Sequence, residues 1–179
     1  MPFIDTCDSA VTPEFYNVVH AVGKNCPNKH NDVKLVQLML QMFYMGAGLT
    51  QPKGNMVADG ICGPITKNWI LKFQLDMRAR AVFLTADQRI DRVRNHQSIG
   101  AISHTKYGLV ALNEAAATAN PDGWATISSM VPMEDANAVP PPSNDFVPEG
   151  GPAVQQTSPG GIRGGRTSTS PAIQSTSPR

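Results

Sequence analysis

Three cysteines, four histidines and four glutamates are the side chains of this 179-residue chain with the reach for metal, redox or hydrolytic chemistry. Cys26, His30 and Cys62 offer zinc-ligand types, but a closed zinc site needs a fourth ligand at a recognisable spacing, and none follows. A wall glycosidase needs two carboxyl groups flanking a sugar bond. Glu14 falls at a predicted helix start, Glu114 on a predicted helix, and Glu134 and Glu149 in or beside a proline-rich end, so capping or solvation accounts for each. His20, His30, His96 and His104 are scattered, and there is no His-Glu-x-x-His, phosphate loop or Gly-x-Ser-x-Gly. The chain therefore reads as non-catalytic, with no metal and no cofactor. Cys26 and Cys62 both precede predicted core helices and form a candidate disulfide, while Cys7, near the chain end, could bridge subunits.

The most structured polar stretch is Asp59-Gly60-Ile61-Cys62-Gly63-Pro64-Ile65-Thr66. Gly60 permits a tight turn with positive φ, Gly63 lets the backbone come close, Pro64 fixes a helix entry, and Thr66 can bond amides in the first turn. Asp32-Val33 and Val36-Gln37 precede it on one predicted helix, and Phe73-Gln74 follows on another. In this order and spacing, from about Gly23 to Gln74, the chain resembles the peptidoglycan-binding-like domains. The resemblance implies a small three-helix module that holds cell-wall polymer without cutting it. It places recognition near the loop 49–66, with Tyr44 or Trp69 available to it, although core packing suits both better. Two positions depart from the family pattern: Cys62 stands where Phe or Tyr is usual, and Trp69 where a small residue is usual. If those two side chains meet, the exchange conserves core volume.

The elements that must position these residues follow from periodicity. Thr12-Pro13-Glu14 has the chemistry of a helix start, and Phe15, Val18, Val19 and Val22 then share one face, predicting a helix over 13–22. Asp32 is placed to cap a helix over 33–45, whose stripe of Val33, Val36, Leu40, Phe43 and Tyr44 is widened by Leu35, Leu38, Met39 and Met42. Gly63-Pro64 opens another, with Ile65, Trp69, Ile70, Phe73 and Met77 inward. Thr85-Ala86-Asp87-Gln88 has the form of a capping box and predicts a helix to about Asn95. A last helix, 106–119, ends at Asn120-Pro121-Asp122-Gly123. The expected fold is all-α: a peptidoglycan-binding-like helical core over 1–80, further helices packed on it over 81–131, and an extended arm over 132–179.

That arm carries nine of the fifteen prolines together with glycine pairs, serine and threonine, a composition that cannot bury enough apolar surface to offset its ordering entropy alone. Pro140, Pro141, Pro142, Phe146, Arg163 and Arg166 are its candidate contacts with neighbouring subunits. A net charge of +1, with Arg78, Arg80, Arg89, Arg92 and Arg94 interleaved by Asp76, Asp87 and Asp91, argues for a solvated helical face and against a nucleic-acid platform. No apolar run approaches a membrane span, and the first residues lack the pattern of a secretory signal. The expectation is a non-catalytic structural protein of a large assembly, a phage-like virion or contractile tail put together in cytoplasm, whose partners are other subunits. The alternative is a peptidoglycan-targeting module of a lysis or wall-remodelling system.

Overall fold

The computed structural model describes residues 1–100 and 104–134, and these lie within the compact unit Met1–Ser143. The arm positions Pro140, Pro141, Pro142, Phe146, Arg163 and Arg166 lie outside the described residues.

β1 (Phe3–Thr6) pairs antiparallel with β2 (Glu14–Asn17), so the predicted helix 13–22 is absent: a strand takes its first half and a bend at Val19 and His20 follows. Phe15, Tyr16, Asn17 and Val18 are buried in succession, which suits a strand inside the core and not a one-sided helix. Their aromatic and β-branched types favour the same outcome. Asn113, on a distant helix, completes the selection: its Oδ1 accepts the Tyr16 amide at 2.9 Å and its Nδ2 donates to the Tyr16 carbonyl at 3.0 Å.

α1 (His30–Gly46) follows a two-residue strand, β3 (Val22–Gly23), and α2 (Pro64–Ala79) opens with Gly63 as N-cap and Pro64 in the first turn, as its sequence dictates. Asp32 does not cap α1. Lys29 holds that position without a side-chain bond, and the Asp32 carboxylate, inside the first turn and buried, instead accepts the amides of Val19 at 3.2 Å and His20 at 3.0 Å.

The predicted helix 85–95 is also absent. Residues 87–89 make a turn with Gln88 at φ +65°, and β4 (Arg89–Ile90) pairs antiparallel with β3. Ile90 and Val93 are the buried apolar positions here, too few to hold a helical face against the core. The basic group is correspondingly no helical face: Arg89 pairs with Asp91 at 3.0 Å, Arg80 stacks over Phe43 and Arg92 over Phe3. α3 (Gly108–Ala119) is followed by α4 (Pro121–Ala125) and α5 (Ile127–Met130), because Asn120 ends one helix and accepts the Gly123 amide to start the next. Five helices and two small antiparallel sheets among the described residues make the fold mixed α and β, not all-α.

α1 is the centre, packed chiefly on α3 and also on α2. Phe43 meets Tyr44 and Phe73 edge to face at 4.9 and 5.4 Å, and Tyr44 meets Trp69 at 5.3 Å. Such pairs add about 0.5–1.5 kcal/mol each beyond their burial. The Tyr44 hydroxyl donates to Asp76 at 2.9 Å, and burial, then that carboxylate, push the phenol well above its ordinary range. At the other side Glu134 closes the unit on its beginning, its amide donating to the Pro2 carbonyl at 2.7 Å and its carboxylate meeting the Met1 amine at 2.9 Å.

Asn113→Ala is expected to strip both partners from the Tyr16 backbone and destabilise the protein by about 2–4 kcal/mol in urea unfolding. A loss below about 0.5 kcal/mol would contradict the role given to Asn113 in selecting the strand.

Candidate functional site

The motif residues converge on one carboxamide. Gln37 is on the buried face of α1, and its Nε2 donates to Asp59 Oδ1 at 3.0 Å, to the Ile61 carbonyl at 3.1 Å and to Thr66 Oγ1 at 3.0 Å. Its Oε1 accepts the Gly60 amide at 2.8 Å. Asp59 closes the turn on itself by accepting the Ile61 amide at 2.9 Å. That amide first, and the Gln37 amide next, hold the exposed Asp59 carboxyl below the usual carboxylate range. Thr66 spends its hydroxyl on the Ile61 carbonyl, at 3.2 Å, and on Gln37 rather than on amides of the first helical turn.

Gly60 is required twice over. Its φ is +75°, and a Cβ there would stand 2.4 Å from the His30 ring. Gly63, expected to allow a close backbone approach, does not: it has φ −84°, and a Cβ there would meet nothing within 4 Å. The close approach belongs to Gly23, where a Cβ would lie 2.0 Å from the Gln88 carbonyl oxygen. Val36, Phe73, Tyr44 and Trp69 are core, and the Trp69 indole donates to the Gly54 carbonyl at 3.1 Å. Trp69 packs edge to face with Tyr44 at 5.3 Å and its indole N–H ties down the 51–58 loop.

Gln74 repeats the arrangement, which the sequence reading missed. Its Nε2 donates to Asp87 Oδ1 at 3.1 Å and to the Arg89 carbonyl at 2.8 Å, and its Oε1 accepts the Gln88 amide at 3.0 Å. Asp87 accepts the Arg89 amide at 3.0 Å, as Asp59 does that of Ile61. Both turns therefore consist of a helix-borne glutamine, an aspartate, and a next residue with positive φ. The signal was present as Ala58-Asp59-Gly60 and Ala86-Asp87-Gln88, but glutamine in the place of glycine hid it and suggested a capping box.

A cleft lies at each turn. The first, about 170 Å³, has Asn55, Gln37 and Thr66 in its wall and exposed Val57, Ile61 and Ile65 around it. The second, about 210 Å³, is lined by Asp87, Arg89, Asp91, Thr105 and Lys106. Arg89 there is paired with Asp91, and Lys106 with Glu114. Cys7, Cys26 and Cys62 are free thiols, each pushed up by burial, so none is an activated thiolate. Among the described residues no group of three or more His, Cys, Asp or Glu is placed to hold a metal. His96 lies 3.2 Å from Asp5, and Glu114 accepts from Ser9 and Lys106. The arrangement can bind or pack.

Gln37→Ala and Gln74→Ala each leave a turn amide without its acceptor, and each is expected to cost about 2–4 kcal/mol in chemical unfolding. Gly60→Ala is expected to lower the melting temperature, with His30→Ala in the same chain recovering part of the loss and the positive-φ strain keeping the rest. Because the folded pKa of Asp59 is lowered, its contribution is complete above the ordinary aspartate range and is lost as pH falls through the lowered value. Asp59→Ala should therefore melt below wild type at pH 7, with the gap closing on acidification from pH 5 toward pH 2.

Comparison of the chain with protein-family models, with curated proteins and with solved structures finds no match, so the functional reading rests on this geometry.

Proposed function

We propose that the chain is a non-catalytic accessory protein of a large assembly, a phage-like virion or contractile tail, built on a peptidoglycan-binding-like scaffold whose C-terminal arm, 132–179, binds neighbouring subunits. One observation carries this reading: the buried polar side chains of the motif, Gln37 and Thr66, are spent on the turn itself, and the exposed Asp59 is bonded to it through Oδ1. Gln37, Asp59 and Thr66 bond one another and the loop backbone, so the signature serves to shape a surface and has few free groups for a polymer. A ligand that recruited them would first have to break the turn, leaving buried amides unpaired at about 1–3 kcal/mol each. Large apolar side chains remain outside, Phe83 at 78% and Ile61 at 66% exposure, and protein partners cover such groups better than a polar glycan does. No described helix is long and apolar enough to cross a membrane.

A second reading, a wall-targeting module, has the cleft of Asn55, Val57, Ile61 and Ile65 in its favour, since it opens at the loop where the family resemblance locates recognition. Co-sedimentation with purified sacculi separates the two. The assembly reading expects no retention above a control protein and expects deletion of 135–179, which spares the Glu134 contacts with Met1 and Pro2, to abolish incorporation into the particle while the melting temperature stays within about 2 °C. Retention on sacculi that Ile61→Asp removes would overturn it in favour of wall targeting.

A further inference from the structure

A groove of about 580 Å³ lies where the end of β1 and the loop to β2 face α3 and α4. Its lining comes from Thr6 and Cys7, from Val11 and Pro13 in the loop, from Ala117 on α3 and from Trp124 on α4. Val11 is 59% exposed there. Trp124 is half-buried and fixed in place, its indole donating to Asn113 Oδ1 at 3.2 Å and its ring edge to face with Tyr16 at 5.1 Å. Glu14 is the one charged residue among the described residues of the lining, so the groove suits an apolar, uncharged occupant.

The last described residue, Glu134, brings the chain back beside this groove. Its amide on the Pro2 carbonyl and its carboxylate on the Met1 amine hold it at the start of β1, and the groove begins at Thr6, where β1 ends. At roughly 3.3 Å per residue a strand carries Thr6 about 13 Å from Pro2. At about 3.1 Å per residue an extended chain from Glu134 to Pro140 reaches about 19 Å. That reach delivers Ala138-Val139-Pro140-Pro141-Pro142 to the groove, and no charged residue falls between Ala136 and Ser143.

We propose that residues 138–142 of the same chain occupy this groove as a polyproline strap across Val11 and Trp124. Prolines suit the place in two ways. Their fixed φ leaves little conformational freedom to lose on docking, and they bring no N–H groups that would need acceptors in an apolar groove. Aromatic-lined grooves take proline-rich segments for these reasons. The short tether from Glu134 keeps the segment at high local concentration, which favours the chain's own segment over that of a second copy. A contact of this size opens and closes readily, so its loss changes the accessibility of the groove far more than the melting temperature. The inference concerns the isolated chain and does not rest on the assembly reading, for which 143–179 remain available.

The test uses the full chain under native conditions and the cysteines as reporters, since Cys7 lines the groove and Cys26 and Cys62 do not. Val139→Asn combined with Pro141→Asn puts polar, neutral side chains into the strap without changing the charge beside the thiol. Iodoacetamide at fixed pH, followed by peptide mapping, should then modify Cys7 several-fold faster than in wild type, with the rates at Cys26 and Cys62 unchanged. An unchanged Cys7 rate, or an equal rise at all three cysteines, would overturn the proposal. A benzophenone side chain introduced at the exposed Val11 of the otherwise wild-type chain should, on illumination, link to the peptide carrying 138–142 in a species of monomer mass. Links between chains, or the absence of that linked peptide, would also overturn it.

Discussion

A buried peptide group must find a hydrogen-bonding partner, and among the described residues irregular stretches run through the interior between the helices and two- to four-residue strands. Side-chain carboxamides meet that demand. Asn17, Gln37, Gln74 and Asn113 are each at most 1% exposed, and each presents an oxygen to a backbone amide and a nitrogen to a backbone carbonyl. Asn17 spans both backbone groups of Val93, Asn113 those of Tyr16, Gln37 the turn at 60–61 and Gln74 the turn at 88–89. A carboxamide has the donor and acceptor geometry of a peptide unit, so each acts as a one-residue strand where no strand is available. Because half-satisfied buried networks are costly, these contacts fix one arrangement of the loops rather than several.

The same constraint decides what the motif region can do. Gln37 shares its two N–H groups among three acceptors and accepts the Gly60 amide, so the turn engages both ends of its carboxamide, and Thr66 and Asp59 are bonded into the same cluster. Val57, Ile61 and Ile65 reach solvent at this turn beside the exposed Asn55 and Asp59. At the corresponding second turn the outward side chains are instead charged and mutually paired. Two turns of one design thus present different surfaces, and function is read from those surfaces rather than from the shared scaffold.

The helices with strong period and clear punctuation were legible. Gly63-Pro64 marked the start of α2, the Val33 to Tyr44 stripe marked α1, and the alanine-rich face with Asn120 marked α3. Phe73, Val36, Tyr44 and Trp69 were readable as core by the same logic. The two lost helices failed for a common reason. Thr12-Pro13-Glu14 and Thr85-Ala86-Asp87-Gln88 carry local helix-start chemistry, but in both places a carboxamide more than ten residues away binds the backbone in extended or turn form. Local propensity is worth tenths of a kcal/mol per residue, and a buried bidentate amide outweighs it. For the site, Gln37, Asp59, Gly60 and Thr66 were picked out together, yet their grouping through one side chain was not visible, since hydrogen bonding between positions 22 and 29 apart has no periodic signature.

Native-state hydrogen exchange of four amides, Tyr16, Gly60, Gln88 and Val93, tests most directly whether the buried carboxamides hold this fold. Each donates to a carboxamide oxygen, at 2.9, 2.8, 3.0 and 3.1 Å in that order, and three of the four stand outside helices and ladder-paired strands. The account predicts that all four exchange only with global unfolding, as slowly as amides in the middle of α1. Exchange of Gly60 and Gln88 at the rates of open loops would contradict it.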